Sequence, residues 1–324
     1  MKPRVFVSRK IPQEGLDILL AACDVEVNET DEHLPPAKLI DRVKGNEGLL
    51  CLLTDDIDDA VLRASPQLKV VANVAVGYNN IDVQAATRRK IIVTNTPGVL
   101  DDTTADFTWC LLLASARRLA ESERYARAGR YTGWGIMLLC GQDVFRKTIG
   151  VCGLGRIGRG VAKRATGFEM RILYTDALRA AADVERELGA RFVDKETLFR
   201  EADFVTLHVP LLPETHHYVS MRELSLMKKT AHLINASRGP VVDEMALVQA
   251  LREHRIAGAG LDVYEHEPQM APGLTELDNV TLAPHIASAS VETRTKMAVM
   301  AATNLVEALQ GQRPPNIVNP EVLA

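Results

Sequence analysis

The sequence predicts an α/β protein built on two doubly wound parallel sheets, and three observations carry that reading. Short β-branched and apolar runs alternate with helix-length segments through both halves of the chain, the rhythm of βαβ units. A glycine fingerprint stands between a strand and a helix of the second half. The composition is that of an ordinary globular chain: its 324 residues are 47% hydrophobic and 25% charged, enough for about two domains at roughly 150 residues each.

In the first half, strands are predicted over residues 5–8, 25–28, 49–54, 70–74 and 91–94. The last is closed by Asn95, Thr96, Pro97 and Gly98, where proline and glycine break regular structure, and a domain boundary is placed between 98 and 99. A helical segment follows from Asp101 to about Arg127. Its stretch Trp109, Cys110, Leu111, Leu112, Leu113 and Ala114 is too apolar for a helix with one face in water, so it is expected to be buried, with another subunit as one candidate cover. The second series of strands is predicted over 148–152, 171–175, 204–209, 232–235, 260–263 and 280–282. The tail over 292–309 carries Met297, Met300, Ala301, Leu305 and Leu309 at helical spacing and is closed by Gly311 and two prolines; spacing alone leaves open which domain it packs on.

Charge and cysteine usage exclude several classes. The 38 basic residues do not outnumber the 42 acidic ones, and a net charge of −4 leaves no excess to neutralise a phosphate backbone, so nucleic acid is not an expected partner. Five cysteines, Cys23, Cys51, Cys110, Cys140 and Cys152, are scattered and never form a C-x-x-C pair, so neither a disulfide framework nor a zinc site is indicated and a reducing, cytoplasmic location is expected. No apolar stretch reaches signal-peptide or membrane-spanning length, and no membrane partner is expected.

Gly153-Leu154-Gly155-Arg156-Ile157-Gly158 follows the strand at 148–152 and precedes a helix-like segment at 159–166. In that context the first glycine permits a tight turn, the second lets a pyrophosphate approach the backbone, and the third lets helix and strand pack closely, with the helix N-terminus facing the negative charge. Asp176 stands 18 positions after Gly158 at the end of the strand at 171–175, close to the separation of roughly 20 for a ribose-binding acid. A carboxylate there accepts hydrogen bonds from ribose hydroxyls and repels a 2′-phosphate, so NADH is favoured over NADPH. Arg179 tempers that preference, since an arginine can accommodate a 2′-phosphate.

Arg238, Glu267 and His285 lie just past the carboxyl ends of successive predicted strands, where ligands bind in open α/β sheets. Singly, each reads as a turn arginine, a loop acid and a structural histidine. Together they supply a cation, an orienting carboxylate and a side chain that titrates near neutral pH.

The segments 153–158, Asn235-Ala236-Ser237-Arg238-Gly239, Gly260-Leu261-Asp262-Val263-Tyr264-Glu265-His266-Glu267-Pro268 and Pro284-His285-Ile286 resemble, in order and spacing, the D-isomer-specific 2-hydroxyacid dehydrogenase family. The resemblance spans nearly the whole chain, since Val76-Gly77-Tyr78-Asn79-Asn80-Ile81-Asp82 and Asn95-Thr96-Pro97-Gly98-Val99-Leu100 are similar to the family's substrate-side motifs. The runs 49–55 and Gly133-Trp134-Gly135 resemble the glyoxylate and hydroxypyruvate reductases most.

The resemblance implies a flavodoxin-like substrate domain, 1–98 with 287–324, into which a Rossmann coenzyme domain, 99–286, is inserted, with the active site in the cleft. It implies NAD(P)H-dependent reduction of glyoxylate or hydroxypyruvate, with 2-ketogluconate or another 2-oxo acid as an alternative within the family. A dinucleotide-sensing corepressor is the alternative of another class. On the same resemblance protonated His285 donates the proton, Glu267 orients it, and Arg238 binds the carbonyl and carboxylate. The N–H groups of Val76 and Gly77 receive the remaining carboxylate charge, and Leu53 forms an apolar wall. Asp262 is implied to contact the nicotinamide carboxamide. The cofactor set is completed by Thr104, Gly153, Gly155, Arg156, Ile157, Gly158, Asp176, His208, Val209, Pro210, Thr215, Ala236 and His285. A homodimer through residues about 100–140 is also implied. Three residues depart from the family's pattern: Ala287 and Arg146 stand where glycine is common, and Leu212 where threonine is.

Overall fold

The computed structural model describes residues 2–323, and the chain separates into two compact units, one up to Leu100 together with the residues from Ala289 on, the other Asp101–Ser288. These boundaries fall at 100/101 and 288/289, where the sequence reading puts them at 98/99 and 286/287.

The first unit runs β1 (Arg4–Val7), α1 (Gln13–Ala22), β2 (Asp24–Val27), α2 (Pro36–Val43), β3 (Gly48–Cys51), α3 (Asp59–Leu62), β4 (Val70–Asn73), α4 (Val83–Arg88) and β5 (Ile92–Thr94). All pairings are parallel, in the order β2-β1-β3-β4-β5, which is the flavodoxin-like order. Strands β3 and β4 are buried along their whole length, as expected of parallel strands covered on both faces. The tail protects the edge at β5: Val318 donates its N–H to Val93 O at 2.7 Å, and the Asn319 amide accepts from Val93 N at 2.8 Å and donates to Ile91 O at 2.9 Å.

The second unit runs α5 (Asp101–Ala116), α6 (Leu119–Arg127), β6 (Thr148–Cys152), α7 (Arg156–Thr166), β7 (Arg171–Thr175), α8 (Ala182–Leu188), β8 (Ala190–Phe192), α9 (Lys195–Glu201), β9 (Phe204–Leu207), α10 (Met221–Leu226), β10 (His232–Asn235), α11 (Glu244–Arg252), β11 (Gly258–Leu261) and β12 (Val280–Leu282). Its parallel sheet has the order β12-β11-β10-β9-β6-β7-β8, the doubly wound order whose direction reverses between β6 and β9. One core layer lies under α9, α10 and α11 and includes Leu198, Phe199, Leu224 and Leu247. The other, under α5, α7 and α8, includes Trp109, Leu112, Val161 and Leu188. The chain then returns to the first unit in α12 (Val291–Leu309), which packs on α1 and on β3, β4 and β5, so the helix left unassigned by its spacing covers one face of that sheet.

Several sequence expectations are corrected. The single helix to about Arg127 is two, because Arg118 adopts a left-handed backbone with φ 53° between α5 and α6. Within the apolar stretch of α5, Trp109, Leu111, Leu112 and Ala114 are buried inside their own unit, whereas Cys110 is exposed. Trp109 stacks on Phe168 at 4.6 Å and donates its indole N–H to Val161 O at 3.1 Å. Helix α7 begins at Arg156 rather than 159, directly on the fingerprint. The short β8 went unpredicted, and β3, β9 and β11 end two or three residues earlier than expected. Arg146, at a position where the resembling family commonly has glycine, takes φ 59°, the left-handed region that glycine adopts without strain.

Candidate active site

The turn after β6 shows what each fingerprint glycine does. Gly153 has φ 90°, and a Cβ on it would lie 2.7 Å from His208 O. A Cβ on Gly158 would lie 2.0 Å from Gly153 O, whereas one on Gly155 would meet nothing within 4 Å. The two outer glycines therefore permit the turn and its packing, and the middle one leaves open space over the start of α7. That helix has no acidic residue in its first turn and no side-chain cap, so its N–H groups remain available to an anion. This cradle fits a dinucleotide pyrophosphate: open where the phosphates approach, closed where the backbone must pack.

Asp176 stands at the end of β7, its Oδ2 accepting from Leu154 N at 2.7 Å and its Oδ1 from Ala177 N at 2.7 Å. The carboxylate is thus fixed to the fingerprint turn itself. Arg179 is committed elsewhere: its Nε and Nη2 donate to Glu185 at 2.8 and 2.9 Å. The guanidinium, with the Tyr174 hydroxyl, holds the Glu185 carboxyl down at about 2.

The loops after β10, β11 and β12 carry the other site residues. Asn235 ends β10 with its Oδ1 accepting from Ser237 N at 3.0 Å and Ser237 Oγ at 2.8 Å, while its Nδ2 donates to Arg238 O at 3.0 Å. This side-chain-stabilised turn fixes the backbone from which Arg238 projects. Gly239 comes next because the chains of two loops touch there: a Cβ on it would lie 1.7 Å from Tyr264 O. Tyr264 is the hub of the group, donating its N–H to Glu267 Oε1 at 3.0 Å and its hydroxyl to Ala283 O at 2.8 Å.

Glu267 Oε2 and His285 Nδ1 are 2.8 Å apart, with both side chains about one-quarter to one-third exposed at 30% and 25%. Burial works to raise the Glu267 carboxyl, but its hydrogen bond to His285, the imidazole charge, the Tyr264 N–H and Arg238 together hold it below the usual carboxylate range. Burial lowers the Arg238 guanidinium, and the Glu267 charge opposes that shift. His285 has φ 55° and is held by Asp262 from below. The His285 N–H donates to Asp262 O at 2.8 Å, and the N–H groups of Ile286 and Ala287 donate to the two Asp262 carboxylate oxygens at 2.7 and 2.8 Å.

Asp262 itself is fully buried, so its visible role is to shape the loop that presents His285. Tyr264 and Asn235 were not singled out from the sequence. They lie inside the motifs; the side-chain bonds of Asn235 are local to its turn, and the Tyr264 hydroxyl bond to Ala283 O is the one that crosses to another loop.

The other residues nominated from the sequence occupy the neighbouring loops and helix ends. His208 lies after β9 beside Val209 and Pro210, its N–H donating to Cys152 O at 2.7 Å and its ring bonded to Thr206 Oγ1, and desolvation pushes the imidazole down to about 3. Thr104 is buried in α5 and Ala236 in the turn after β10. The Thr215 hydroxyl is spent locally on Pro210 O at 2.6 Å and on Leu212 N at 2.8 Å. Arg156 and Ile157 open α7. In the first unit, the Val76 and Gly77 carbonyls accept from Asn95 Nδ2 at 2.8 Å and Asn73 Nδ2 at 2.9 Å. Their N–H groups have no backbone acceptor among the described residues, and Leu53 is half-buried in the turn after β3.

A family model described as the D-isomer specific 2-hydroxyacid dehydrogenase, NAD binding domain, matches residues 109–287. The chain is 52% identical over 328 residues to a glyoxylate reductase of Korarchaeum cryptofilum, with 100% of this chain and 98% of the relative covered. This chain belongs to the D-isomer-specific 2-hydroxyacid dehydrogenase family. Among solved structures, this 2-hydroxyacid dehydrogenase is similar to a Thermus thermophilus protein with TM-score 0.92 and 44% identity, covering 97% of this chain and 99% of that one. It is also similar to an NADPH-dependent glyoxylate/hydroxypyruvate reductase from Sinorhizobium meliloti in complex with NADP and malonate, with TM-score 0.87 and 34% identity over 98% of this chain and 97% of that one.

Proposed function

We propose that this protein reduces a small 2-oxo acid, glyoxylate or hydroxypyruvate, to the 2-hydroxy acid with a reduced nicotinamide dinucleotide. The observation that carries the reading is the 2.8 Å Glu267–His285 pair on the carboxyl side of the same sheet that bears the glycine cradle. When bound, the reduced nicotinamide supplies the hydride. His285 donates a proton to the developing alkoxide through Nε2, because Nδ1 is committed to Glu267. Glu267 keeps the ring oriented and favours its charged form. Arg238 neutralises the carbonyl oxygen and carboxylate through its forked guanidinium. Val76 and Gly77 supply N–H donors for the carboxylate, and Leu53 an apolar wall that favours a small substrate.

NADH is the preferred donor. Asp176 presents a fixed carboxylate where the ribose is expected, and Arg179, the nearby candidate for a 2′-phosphate, is occupied by Glu185. The active species is a homodimer. Trp134 and Met137, 81% and 79% exposed on the segment after α6, form an apolar surface that a second copy would cover, and sedimentation of a Met137→Asp variant as monomer would support this. We place the protein in the cytoplasm on its five free cysteines; no helix among the described residues is long and apolar enough to cross a membrane.

Loss of reduced-nicotinamide absorbance, measured with NADH and NADPH against glyoxylate, hydroxypyruvate, 2-ketogluconate and pyruvate, tests the whole reading. Fast oxidation of NADH with glyoxylate or hydroxypyruvate is the expected result. Dinucleotide binding with no turnover of any acid would overturn it.

A further inference from the structure

Among the described residues, one group of metal-ligating side chains stands outside the Arg238–Glu267–His285 set. His216 and His217 come after the short turn Pro213–Thr215 that succeeds β9, and Glu265 lies in the loop after β11. Each offers one ligand atom, and these atoms all lie within 4.8 Å of one another. His217 Nε2 and Glu265 Oε1 are 2.6 Å apart, and the two imidazole rings lie 4.1 Å apart at 31°. His216 is exposed beside an open hollow of about 630 Å³ also lined by Leu212, Pro240 and Glu265, so an ion could reach the group from solvent.

We infer that His216, His217 and Glu265 form a binding site for a divalent ion of borderline softness, Zn²⁺ first, with its fourth position open to water. Two imidazoles and one carboxylate are a donor set that suits such an ion, which bonds nitrogen and oxygen at about 2.0–2.2 Å. Tetrahedral ligands then stand roughly 3.3 Å apart. Reaching that spacing requires rotation of the exposed His216 ring and a slight opening of the His217–Glu265 contact. The Glu265 carboxylate is already held from outside, as metal ligands commonly are, and the His217 backbone is anchored as well. The Glu265 carboxylate accepts through Oε2 from Glu244 N at 3.2 Å, its backbone N–H donates to Glu244 Oε2 at 2.7 Å, and His217 N donates to Pro240 O at 2.8 Å. His217 also keeps a left-handed backbone, φ 50°, which a non-glycine residue holds only when its surroundings impose it. On loading, the ion takes the place of the hydrogen bond between His217 Nε2 and Glu265 Oε1, and a neutral His217 then carries its hydrogen on Nδ1. The bound ion ties the loop after β9 to the loop after β11. None of this depends on which acid the enzyme reduces.

The test uses the full chain, stripped with a chelator and titrated with Zn²⁺ by calorimetry, with Co²⁺ as the spectroscopic probe. One ion per chain is expected at this site, together with Co²⁺ visible bands of a nitrogen and oxygen set lacking sulfur-to-metal charge transfer. His216→Ala, an exposed position, is expected to weaken binding at least about tenfold while the thermal midpoint of the stripped protein stays unchanged. Glu265→Gln is expected to weaken it similarly. Cys110 and Cys140 are exposed thiols and the competing soft donors. Absence of Zn²⁺ binding, or binding that survives His216→Ala and disappears in the Cys110→Ser, Cys140→Ser double variant, would overturn the proposal.

Discussion

Alanine at Gly155 and alanine at Gly158 should do opposite things, although the two positions are three residues apart in one turn. At Gly158 the new Cβ would lie 2.0 Å from Gly153 O, so the turn and α7 must separate by at least about 1 Å. Overpacking that flexible side chains can relieve costs about 1–3 kcal/mol, and because the obstruction here is a backbone carbonyl the upper end applies, about 3 kcal/mol. At roughly 2–4 °C per kcal/mol for a domain of this size, the thermal midpoint should fall by about 6–12 °C. At Gly155 the backbone is at φ −70° and ψ −163°, open to alanine, and the Cβ meets nothing within 4 Å. A gain of about 0.4–1 kcal/mol from a stiffer unfolded chain is offset by about 0.5–1 kcal/mol lost when alanine replaces glycine at the helix cap, so stability should change by less than about 1 kcal/mol. The methyl group instead occupies the space left for the pyrophosphate. NADH affinity should fall at least about tenfold, or about 1.4 kcal/mol. Circular-dichroism melts and titration of NADH fluorescence read the two effects separately. Wild-type NADH affinity in Gly155→Ala would refute the reading of the cradle, and an unchanged melt in Gly158→Ala would refute the packing.

The remaining predictions concern the chemistry. His285→Ala and Arg238→Ala should each lower kcat/KM for 2-oxo acid reduction by about a hundredfold or more while NADH binding persists; near wild-type turnover in steady-state assays would remove either residue from the mechanism. Glu267→Gln should lower kcat/KM for 2-oxo acid reduction by about tenfold or more while NADH binding persists, because an amide holds the His285 ring less firmly than the carboxylate 2.8 Å from its Nδ1. Since the Glu267 carboxyl is held below its ordinary range, its contribution to the fold is complete above about pH 4.3, the unperturbed glutamate value, and fades as the pH falls through the native one. The difference in melting temperature between wild type and Glu267→Gln should therefore close in acid. Asp176→Ala should raise the NADPH to NADH ratio of kcat/KM by about tenfold or more, about 1.4 kcal/mol; an unchanged ratio would place ribose discrimination elsewhere.

Much of the candidate site was legible because its chemistry is packed into short segments. The fingerprint glycines and Asp176 belong to one strand–turn–helix–strand unit, so backbone sterics and local order suffice to place them. Glu267 and His285 could be nominated from their positions after strands, but their 2.8 Å contact depends on two loops meeting. The commitment of Arg179 to Glu185 was hidden too: a sequence states which charges are near along the chain, not which of them pair.

Local periodicity and residue type were enough to specify the two parallel sheets, because apolar runs of strand length set the strands and proline and glycine marked their ends. Relations between groups distant along the chain needed the folded molecule. The apolar face of α5 records that something must cover it, and the fold supplies α7, β10 and β11 of the same unit as cover. Hydropathy registers burial without naming the partner. In the same way the burial of Asp262 beneath the His285 loop and the meeting of His216 and His217 with Glu265 arise from loop-to-loop packing at the carboxyl ends of neighbouring strands, where the chain's order carries no record of the distance.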